Sequence, residues 1–224
     1  MIHLLLAAIL ALGPPTPSNQ QDVSFVSKDG NVVDGTISWP AGSVDRSLAF
    51  VLIGEESTMA ATAAALNAAG LTVLRYGARG IETQSDVDDA IAAVAAVQKD
   101  PHADPTRVYL LARGNGAVVA MGAALEGAPV QGIVLASPRL VRTATADPFL
   151  EVTRLAVPVL LLHGGADAQM SAGDLRAFET AAHAAQRSLQ VGELAGDNHL
   201  LQAAPPAIDP RAIAAIIAWL AETQ

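Results

Sequence analysis

The residues with the clearest chemical meaning lie near the middle of the chain, where residues 108–117 have the sequence VYLLARGNGA. Their pattern predicts a buried strand, a tight turn and the start of an apolar helix. That arrangement is typical of a nucleophile elbow, in which a serine on a sharp turn between two glycines presents its hydroxyl for attack on a carbonyl carbon. Here the flanking positions are Ala112 and Gly116, and the nucleophile position is Gly114. The sequence therefore predicts the elbow without its attacking group.

Glycine also has a conformational advantage at this position. The turn of an elbow is strained, and such a backbone state costs a residue with a side chain on the order of 1–3 kcal/mol. Glycine adopts the same conformation at little steric cost. A protein that no longer needs the nucleophile is thus expected to keep the turn while losing the side chain.

The elements around the elbow alternate between strands and helices, which predicts a mostly parallel sheet covered on both faces. Strands 23–26 and 32–39 are expected to form a leading hairpin around Asp29-Gly30. Further strands are predicted at 48–53, 71–75, 107–111, 132–136, 157–163 and 189–194. Helices are predicted at 59–69, from a cap at Ser85, at 117–125, around Leu175 and Phe178, and along the stripe of Ile213, Ile216, Ile217 and Leu220. Residues 137–156 leave room for one short helix at most.

Four stretches resemble the α/β-hydrolase superfamily, in particular its esterase and dienelactone-hydrolase-like members. They are the opening hairpin with SKDG at 27–30, the segment LTVLRYGARG at 71–80, the elbow, and the pair LLHGGAD at 161–167 and GDNH at 196–199. The second stretch is similar to the family's R-Y-D-x-R-G, with Gly77 in place of the Asp. The resemblance covers nearly all of residues 23–224. It implies an α/β-hydrolase fold, with a mostly parallel central sheet, helices on both faces and no large cap domain.

The resemblance also implies where the catalytic residues would stand, because the family orders its triad as nucleophile, acid and histidine along the chain. Gly114, Asp167 and His199 occur in that order, each after a predicted strand. Asp167 matches the acid that orients the imidazole, and His199 matches the general base that removes the nucleophile's proton. Two of the three triad members are present, and the attacking atom is absent.

The oxyanion hole implied by the resemblance is altered as well. The family places a His-Gly pair after the strand matched by 48–53, and this chain has Ile53-Gly54 followed by Glu55-Glu56. The backbone N–H groups of Glu55 and Asn115 are the candidate donors, since backbone donors need no particular side chain. Two carboxylates beside a developing negative charge would oppose it unless they point to solvent.

The remaining polar residues near these motifs have simpler interpretations. Arg113 and Asn115 are expected to be solvated or capping groups, and Arg75 and Arg79 to be ordinary structural arginines. No metal site is expected, because His163 and His199 lack metal-ligand spacing. No cofactor is expected either, since Gly114 and Gly116 are not accompanied by the other residues of a phosphate-binding loop.

Composition limits the classes of partner. The chain has 13 Lys and Arg against 22 Asp and Glu, a formal charge of -9, so it offers no basic stripe for nucleic acid. It contains no cysteine, which excludes disulfides, a thiolate nucleophile and Cys-ligated metals. The expected partner is a small-molecule ligand or another protein.

The first 22 residues have a pattern of their own. Residues 4–12 (LLLAAILAL) form an apolar run shorter than the about 20 residues of a membrane-spanning helix, and a Gly-Pro-Pro and a polar stretch follow. The run is typical of a signal peptide, although the first three residues carry no Lys or Arg. We therefore expect residues 1–22 to be a signal peptide and linker, and residues 23–224 to be one domain. Export to the periplasm or the extracellular space is expected; a cytoplasmic protein with an extra apolar strand is the alternative.

Three functions remain open from the sequence. The first and preferred one is a pseudo-hydrolase that binds a ligand or partner, because loss of the triad serine lowers turnover about a million-fold in a measured protease. The second is a hydrolase- or esterase-like enzyme in which an Asp167–His199 dyad acts as general base on water or on a substrate proton. The third is a hydrolase with a relocated serine, which requires Ser57 or Ser137 within hydrogen-bond reach of His199.

Overall fold

A computed structural model describes residues 18–42, 45–54, 56–79, 83–143, 146–203 and 208–223, with the backbone alone for 56–58. The strands are β1 (Ser18–Val26), β2 (Val32–Pro40), β3 (Ser47–Ile53), β4 (Thr72–Tyr76), β5 (Ala103–Gly114), β6 (Ile133–Pro138), β7 (Val159–Gly164) and β8 (Leu189–Leu194). The helices are α1 (Glu56–Ala68), α2 (Gln84–Val97), α3 (Gly116–Leu125), α4 (Pro148–Glu151), α5 (Ala172–Ala184) and α6 (Pro210–Glu222).

The eight strands form one sheet in the order β1-β2-β4-β3-β5-β6-β7-β8. The β1–β2 and β2–β4 pairs are antiparallel, and every pair from β4 to β8 is parallel. Parallel strands bring their carboxyl ends to the same edge, which is where open α/β sheets bind ligands. This arrangement confirms the predicted fold class.

The helices cover both faces, and the side chains of β5 show how the strand serves two cores. Leu110 and Ala112 point into the cluster formed with α2 and α3, whereas Tyr109 and Leu111 point into the cluster formed with α1 and α6. Alternate residues of a strand face opposite sides, so a strand covered on both faces must be apolar throughout. The continuous apolar run before Arg113 meets this requirement.

Two element boundaries differ from the expectation. β1 begins at Ser18, so residues 18–22, expected to be linker, pair with residues 36–40 of β2. Helix α2 is capped by Thr83 and not by Ser85: the Thr83 side chain accepts from the Asp86 amide, and the Asp86 carboxylate accepts from the Thr83 amide at 2.9 Å. This reciprocal capping box satisfies two backbone donors at once.

Two further features bear on the sequence expectations. Between β6 and β7, the described residues contain only α4 and a 3-10 turn at Val152–Arg154, which leaves the carboxyl edge without a large cap domain. Within the described residues, no helix is long and apolar enough to cross a membrane. The apolar run at 4–12 lies outside the described residues.

Candidate active site

The three residues expected to form the site meet at the carboxyl edge of the sheet. Gly114 ends β5, Asp167 follows β7, and His199 follows β8. These strands belong to the parallel part of the sheet, so the segments that leave their carboxyl ends lie side by side. The fold thereby brings together residues that are far apart in the chain.

Gly114 adopts the left-handed backbone conformation, with φ of +55°. Residues with a side chain seldom adopt this region, whereas glycine enters it freely. A Cβ built on Gly114 would lie 3.9 Å from Nε2 of His199. Gly114 therefore holds its sharp turn with the nucleophile position directed at the histidine.

Asp167 and His199 form a direct contact, with 2.8 Å between the carboxylate Oδ2 and the imidazole Nδ1. The Asp167 side chain is 1% exposed and that of His199 is 21% exposed. The second oxygen of Asp167 accepts a hydrogen bond from the Gln169 amide at 2.8 Å, which fixes the carboxylate on both sides. When Nδ1–H donates to Asp167, the neutral imidazole presents Nε2 as a proton acceptor toward Gly114.

Close packing of two loops holds this pair together. Gly164, at the end of β7, lies so near the Asp197 carbonyl that a Cβ there would collide with it. The Ala166 amide donates to the same carbonyl at 2.9 Å, and the Gly165 amide donates to the carbonyl of Leu194 at 2.8 Å. The absence of a side chain at Gly164 thus allows the histidine loop to approach the loop that carries Asp167.

An ionic cluster around the buried Asp197 connects the histidine loop to α6. The fully buried Asp197 accepts from Nη2 of Arg211 at 2.7 Å, and the same guanidinium binds Asp209 at 2.8 Å. Burial raises the pKa of Asp197, and the charge of Asp209 raises it further, while Arg211 opposes both. The cluster could not be predicted from the sequence, because its members contact each other only after α6 has packed on the sheet.

Of the two expected oxyanion-hole donors, only Asn115 lies within the described residues. Asn115 is half-buried and stands at the N-cap of α3, where its side chain makes no capping hydrogen bond. Its backbone N–H follows the Gly114 turn directly. Glu55, the other candidate donor, lies outside the described residues.

Arg113 differs from the expectation of a solvated or capping group. The residue is only 8% exposed, and its Nη2 donates to the carbonyl of Leu200 at 2.8 Å. Burial lowers the pKa of the guanidinium. A sequence signal was available: Arg113 continues the alternation of Tyr109 and Leu111, which places its side chain on an inward-facing side of β5.

Of the two serines considered as relocated nucleophiles, the structure describes the side chain of Ser137 alone. Ser137, at the end of β6, is fully buried with φ of +46°, and its hydroxyl has no hydrogen-bond partner. It consequently makes no hydrogen bond to His199, so the structure does not bring it into the arrangement that the hypothesis requires. Ser57 lies in the first turn of α1, and its side chain is outside the described residues.

Arg79 has the structural role expected for it. Its Nε and Nη2 bind the two oxygens of the fully buried Asp89 at 2.7 and 2.6 Å, and its Nη1 binds Asp29 of the hairpin turn at 2.8 Å. It thus links the hairpin to α2. Among the described residues, no group of three acidic or histidine side chains could hold a metal ion.

The comparison with known families agrees with this geometry. The model of the dienelactone hydrolase family matches residues 75–224. The chain belongs to the dienelactone hydrolase family. The matched region contains the elbow, Asp167 and His199. No curated protein matches the sequence.

Solved structures show the same fold at low sequence identity. The dienelactone-hydrolase-like promiscuous phosphotriesterase from metagenomic libraries has a TM-score of 0.72 at 18% identity, with coverage of 92% of this chain and 98% of that chain. A protein of Klebsiella pneumoniae described as a dienelactone hydrolase has a TM-score of 0.76 at 15% identity, covering 92% and 99%. An esterase of Pyrococcus furiosus has a TM-score of 0.67 at 15% identity, covering 84% and 85%. At these identities the likeness concerns the fold.

Proposed function

We propose that this member of the dienelactone hydrolase family binds a small molecule in front of Gly114 and does not hydrolyse esters through a serine intermediate. The observation that carries the proposal is the left-handed Gly114, whose Cβ position faces His199 Nε2 at 3.9 Å. In this family's framework that position supplies the attacking atom. The histidine and its carboxylate remain, so the site keeps polar groups that can bind a ligand.

The lack of a replacement for the serine among the described residues supports the same proposal. Ser137 makes no hydrogen bond, and its hydroxyl is fully buried. A serine nucleophile needs a base within hydrogen-bond reach to lose its proton. The described residues therefore offer no second serine in the required contact with His199.

The test of this proposal combines reactivity with binding. The protein and its His199→Ala variant are treated with a fluorophosphonate probe, p-nitrophenyl esters and a phosphotriester, the last because one structural neighbour is a phosphotriesterase. We expect no labelling and no turnover above the His199→Ala level. We also expect p-nitrophenyl butyrate, a neutral ester, to shift the imidazole NMR signals of His199 as it binds.

Fluorophosphonate labelling of the natural protein would contradict the proposal, and mass spectrometry of the labelled peptide would identify the nucleophile. Labelling at Ser57 would restore the hypothesis of a relocated serine. A complete lack of response at His199 to the neutral ester would contradict ligand binding at this position.

A second function is favoured by one observation, the intact contact between Asp167 and His199 at 2.8 Å with Nε2 free to accept a proton. An oriented imidazole can act as a general base on water or on an acidic substrate proton without a covalent intermediate. In that case turnover would depend on His199, slow in D2O and resist the fluorophosphonate probe. These three results together would distinguish a catalytic dyad from a non-catalytic protein and from a hydrolase with a relocated serine.

A further inference from the structure

Asn198, the residue before His199, closes the turn that carries the histidine. Its side-chain Oδ1 accepts from the amide of Leu200 at 2.8 Å and from the amide of Gln202 at 3.2 Å. Its main-chain carbonyl accepts from the amide of Leu201 at 3.0 Å, and its own amide donates to the carbonyl of Gln202 at 3.3 Å. The hydrogen bonds of one residue therefore span His199 on both its side-chain and its main-chain groups.

The side-chain bonds of Asn198 require an oxygen atom at this place. Both partners are backbone N–H groups, which only donate, so the atom between them must be an acceptor. An Asn or Asp that accepts from the amide two residues further on closes an Asx turn. Asn198 makes that bond to Leu200 and adds a second one to Gln202. The turn from 198 to 202 is thus organised around a single oxygen.

Leu201 shows that this turn needs support. It has φ of +54°, in the left-handed region that residues with a side chain seldom adopt, and it is 1% exposed. Its side chain packs in the cluster formed with α1 and α6, and its carbonyl accepts from the amide of Asp209 at 2.8 Å. Such a conformation persists only where the surrounding contacts hold it. The bonds of Asn198 are contacts of this kind.

The imidazole depends on the same turn. Nδ1 of His199 lies 2.8 Å from Oδ2 of Asp167, and the carbonyl of the next residue, Leu200, accepts from Nη2 of Arg113 at 2.8 Å. The direction of the ring follows from where the turn places the Cα of His199, since the side chain adds only two rotatable bonds. A turn that relaxed toward a more common conformation would move the ring away from Asp167.

We propose that Asn198 is a positioning residue, whose Oδ1 holds the turn so that Nδ1 of His199 faces Asp167 and Nε2 faces Gly114. The partner of one ring nitrogen decides which nitrogen carries the proton of a neutral imidazole. Asn198 thereby also keeps Nε2 as the acceptor, and it acts through His199. The inference rests on the proposed function, in which His199 is a polar group that meets the ligand.

The test measures the tautomer of His199 in the ligand-free protein, from the ¹⁵N shifts of the ring at about pH 9, where a histidine side chain is ordinarily neutral. The natural protein should carry the proton on Nδ1. In Asn198→Ala, the ratio of the Nδ1–H to the Nε2–H form should fall by at least about ten-fold, the usual contribution of a hydrogen bond to a charged group. Asn198→Asp keeps an oxygen in place and should restore the natural ratio. Asn198→Ser, with a shorter side chain, should give an intermediate ratio.

Asn67→Ala is the matched control. Asn67 is 3% exposed, and its Nδ2 donates to the carbonyls of Ser38 at 3.1 Å and Leu71 at 2.9 Å. The control removes the same side chain and the same number of bonds to the main chain, on α1. It should lower Tm and leave the His199 tautomer unchanged. A merely structural Asn198 predicts that same pattern for Asn198→Ala.

Three results would overturn the inference: an Nε2–H tautomer in the natural protein, a natural ratio in a folded Asn198→Ala, or a ratio in Asn198→Asp as low as in Asn198→Ala. If Asn198→Ala does not fold, Asn198→Ser carries the comparison, and a natural ratio there overturns the inference.

Titration with p-nitrophenyl butyrate separates this inference from the proposed function. A tautomer change in Asn198→Ala, without any His199 response to the ester in the natural protein, would contradict ligand binding and support the positioning role. A response to the ester in the natural protein, with an unchanged tautomer in Asn198→Ala, would contradict the positioning role alone.

Discussion

Gly114 and His199 face each other across the space that a catalytic serine would fill. A Cβ on Gly114 would lie 3.9 Å from Nε2, and a hydroxyl one bond further out can reach hydrogen-bond distance. The imidazole is oriented by Asp167 at 2.8 Å on its other nitrogen. Within the described residues, the departure from a working triad at this point is the single missing side chain.

The left-handed conformation of Gly114 leads to a prediction about stability. Gly114→Ala should lower the free energy of unfolding by about 1–2 kcal/mol, the usual cost of this conformation for a residue with a Cβ. Denaturant unfolding followed by circular dichroism measures the change. Gly77→Ala is the control, because Gly77 has open space around its Cβ position and no left-handed φ. Equal losses in the two variants would be inconsistent with strain at Gly114.

The close approach of the loops that carry Asp167 and His199 leads to a second prediction. Gly164→Ala should push the histidine loop away, since the new Cβ would collide with the Asp197 carbonyl. The expected result is a loss of the hydrogen-bonded Nδ1 proton signal of His199, together with a destabilisation of about 1–3 kcal/mol for overpacking. Gly173→Ala, in α5 with ordinary contacts at 3.6 Å, should leave the histidine signal unchanged. An unaltered Nδ1 signal in Gly164→Ala would argue against this packing role.

Most strands and helices and the order of the site residues could be predicted from the sequence, because strand patterns, helix patterns and the elbow are local features. The order Gly114, Asp167, His199 placed each residue after a strand, and parallel pairing brings such ends together. Ser85 was expected to cap α2, and it has Asp88 three residues later just as Thr83 has Asp86, so the local pattern does not separate the two positions. In the structure the cap is Thr83, which exchanges hydrogen bonds with Asp86.

The features that could not be predicted from the sequence depend on contacts between residues far apart in the chain. The Asp197–Arg211 pair depends on how α6 docks, and the burial of Arg113 depends on the Leu200 carbonyl. Neither contact can be predicted from one element, because each joins residues of two separate segments. Arg113 was expected to be a solvated or capping group, because arginine is usually exposed. The alternation along β5 was the one pattern that placed its side chain on a covered face of the sheet.

The link between the hairpin and α2 leads to a third prediction. Arg79→Met should lower the free energy of unfolding, because the buried Asp89 would remain without its cation. The double variant Arg79→Met/Asp89→Asn should recover part of that loss, since the uncompensated charge is gone. Urea unfolding of both variants makes the comparison. A double variant as unstable as Arg79→Met would show that lost packing, and not the buried charge, dominates.

The hydrogen bonds of Asp104 lead to a prediction about pH. The Thr106 hydroxyl at 2.7 Å, and then Arg107 at 2.8 Å, lower the pKa of Asp104 from 3.8 to about 2. Because the folded pKa is depressed, the stabilisation is present above about pH 4 and is lost as the pH falls toward 2. The unfolding free energy of Asp104→Asn should thus approach that of the natural protein over this interval. Thr106→Ala should move the loss to higher pH, and a difference that stays constant with pH would contradict the assignment.

The most direct test of the central claim restores the serine and compares Gly114→Ser with Gly114→Ala. If the Asp167–His199 pair lacks only a nucleophile, Gly114→Ser should gain fluorophosphonate labelling at that serine and p-nitrophenyl ester turnover above Gly114→Ala. Adding Asp167→Asn should lower the gained turnover by up to about 10⁴-fold, as for a triad with the wrong tautomer. A folded Gly114→Ser that neither labels nor turns over ester above Gly114→Ala would contradict the claim.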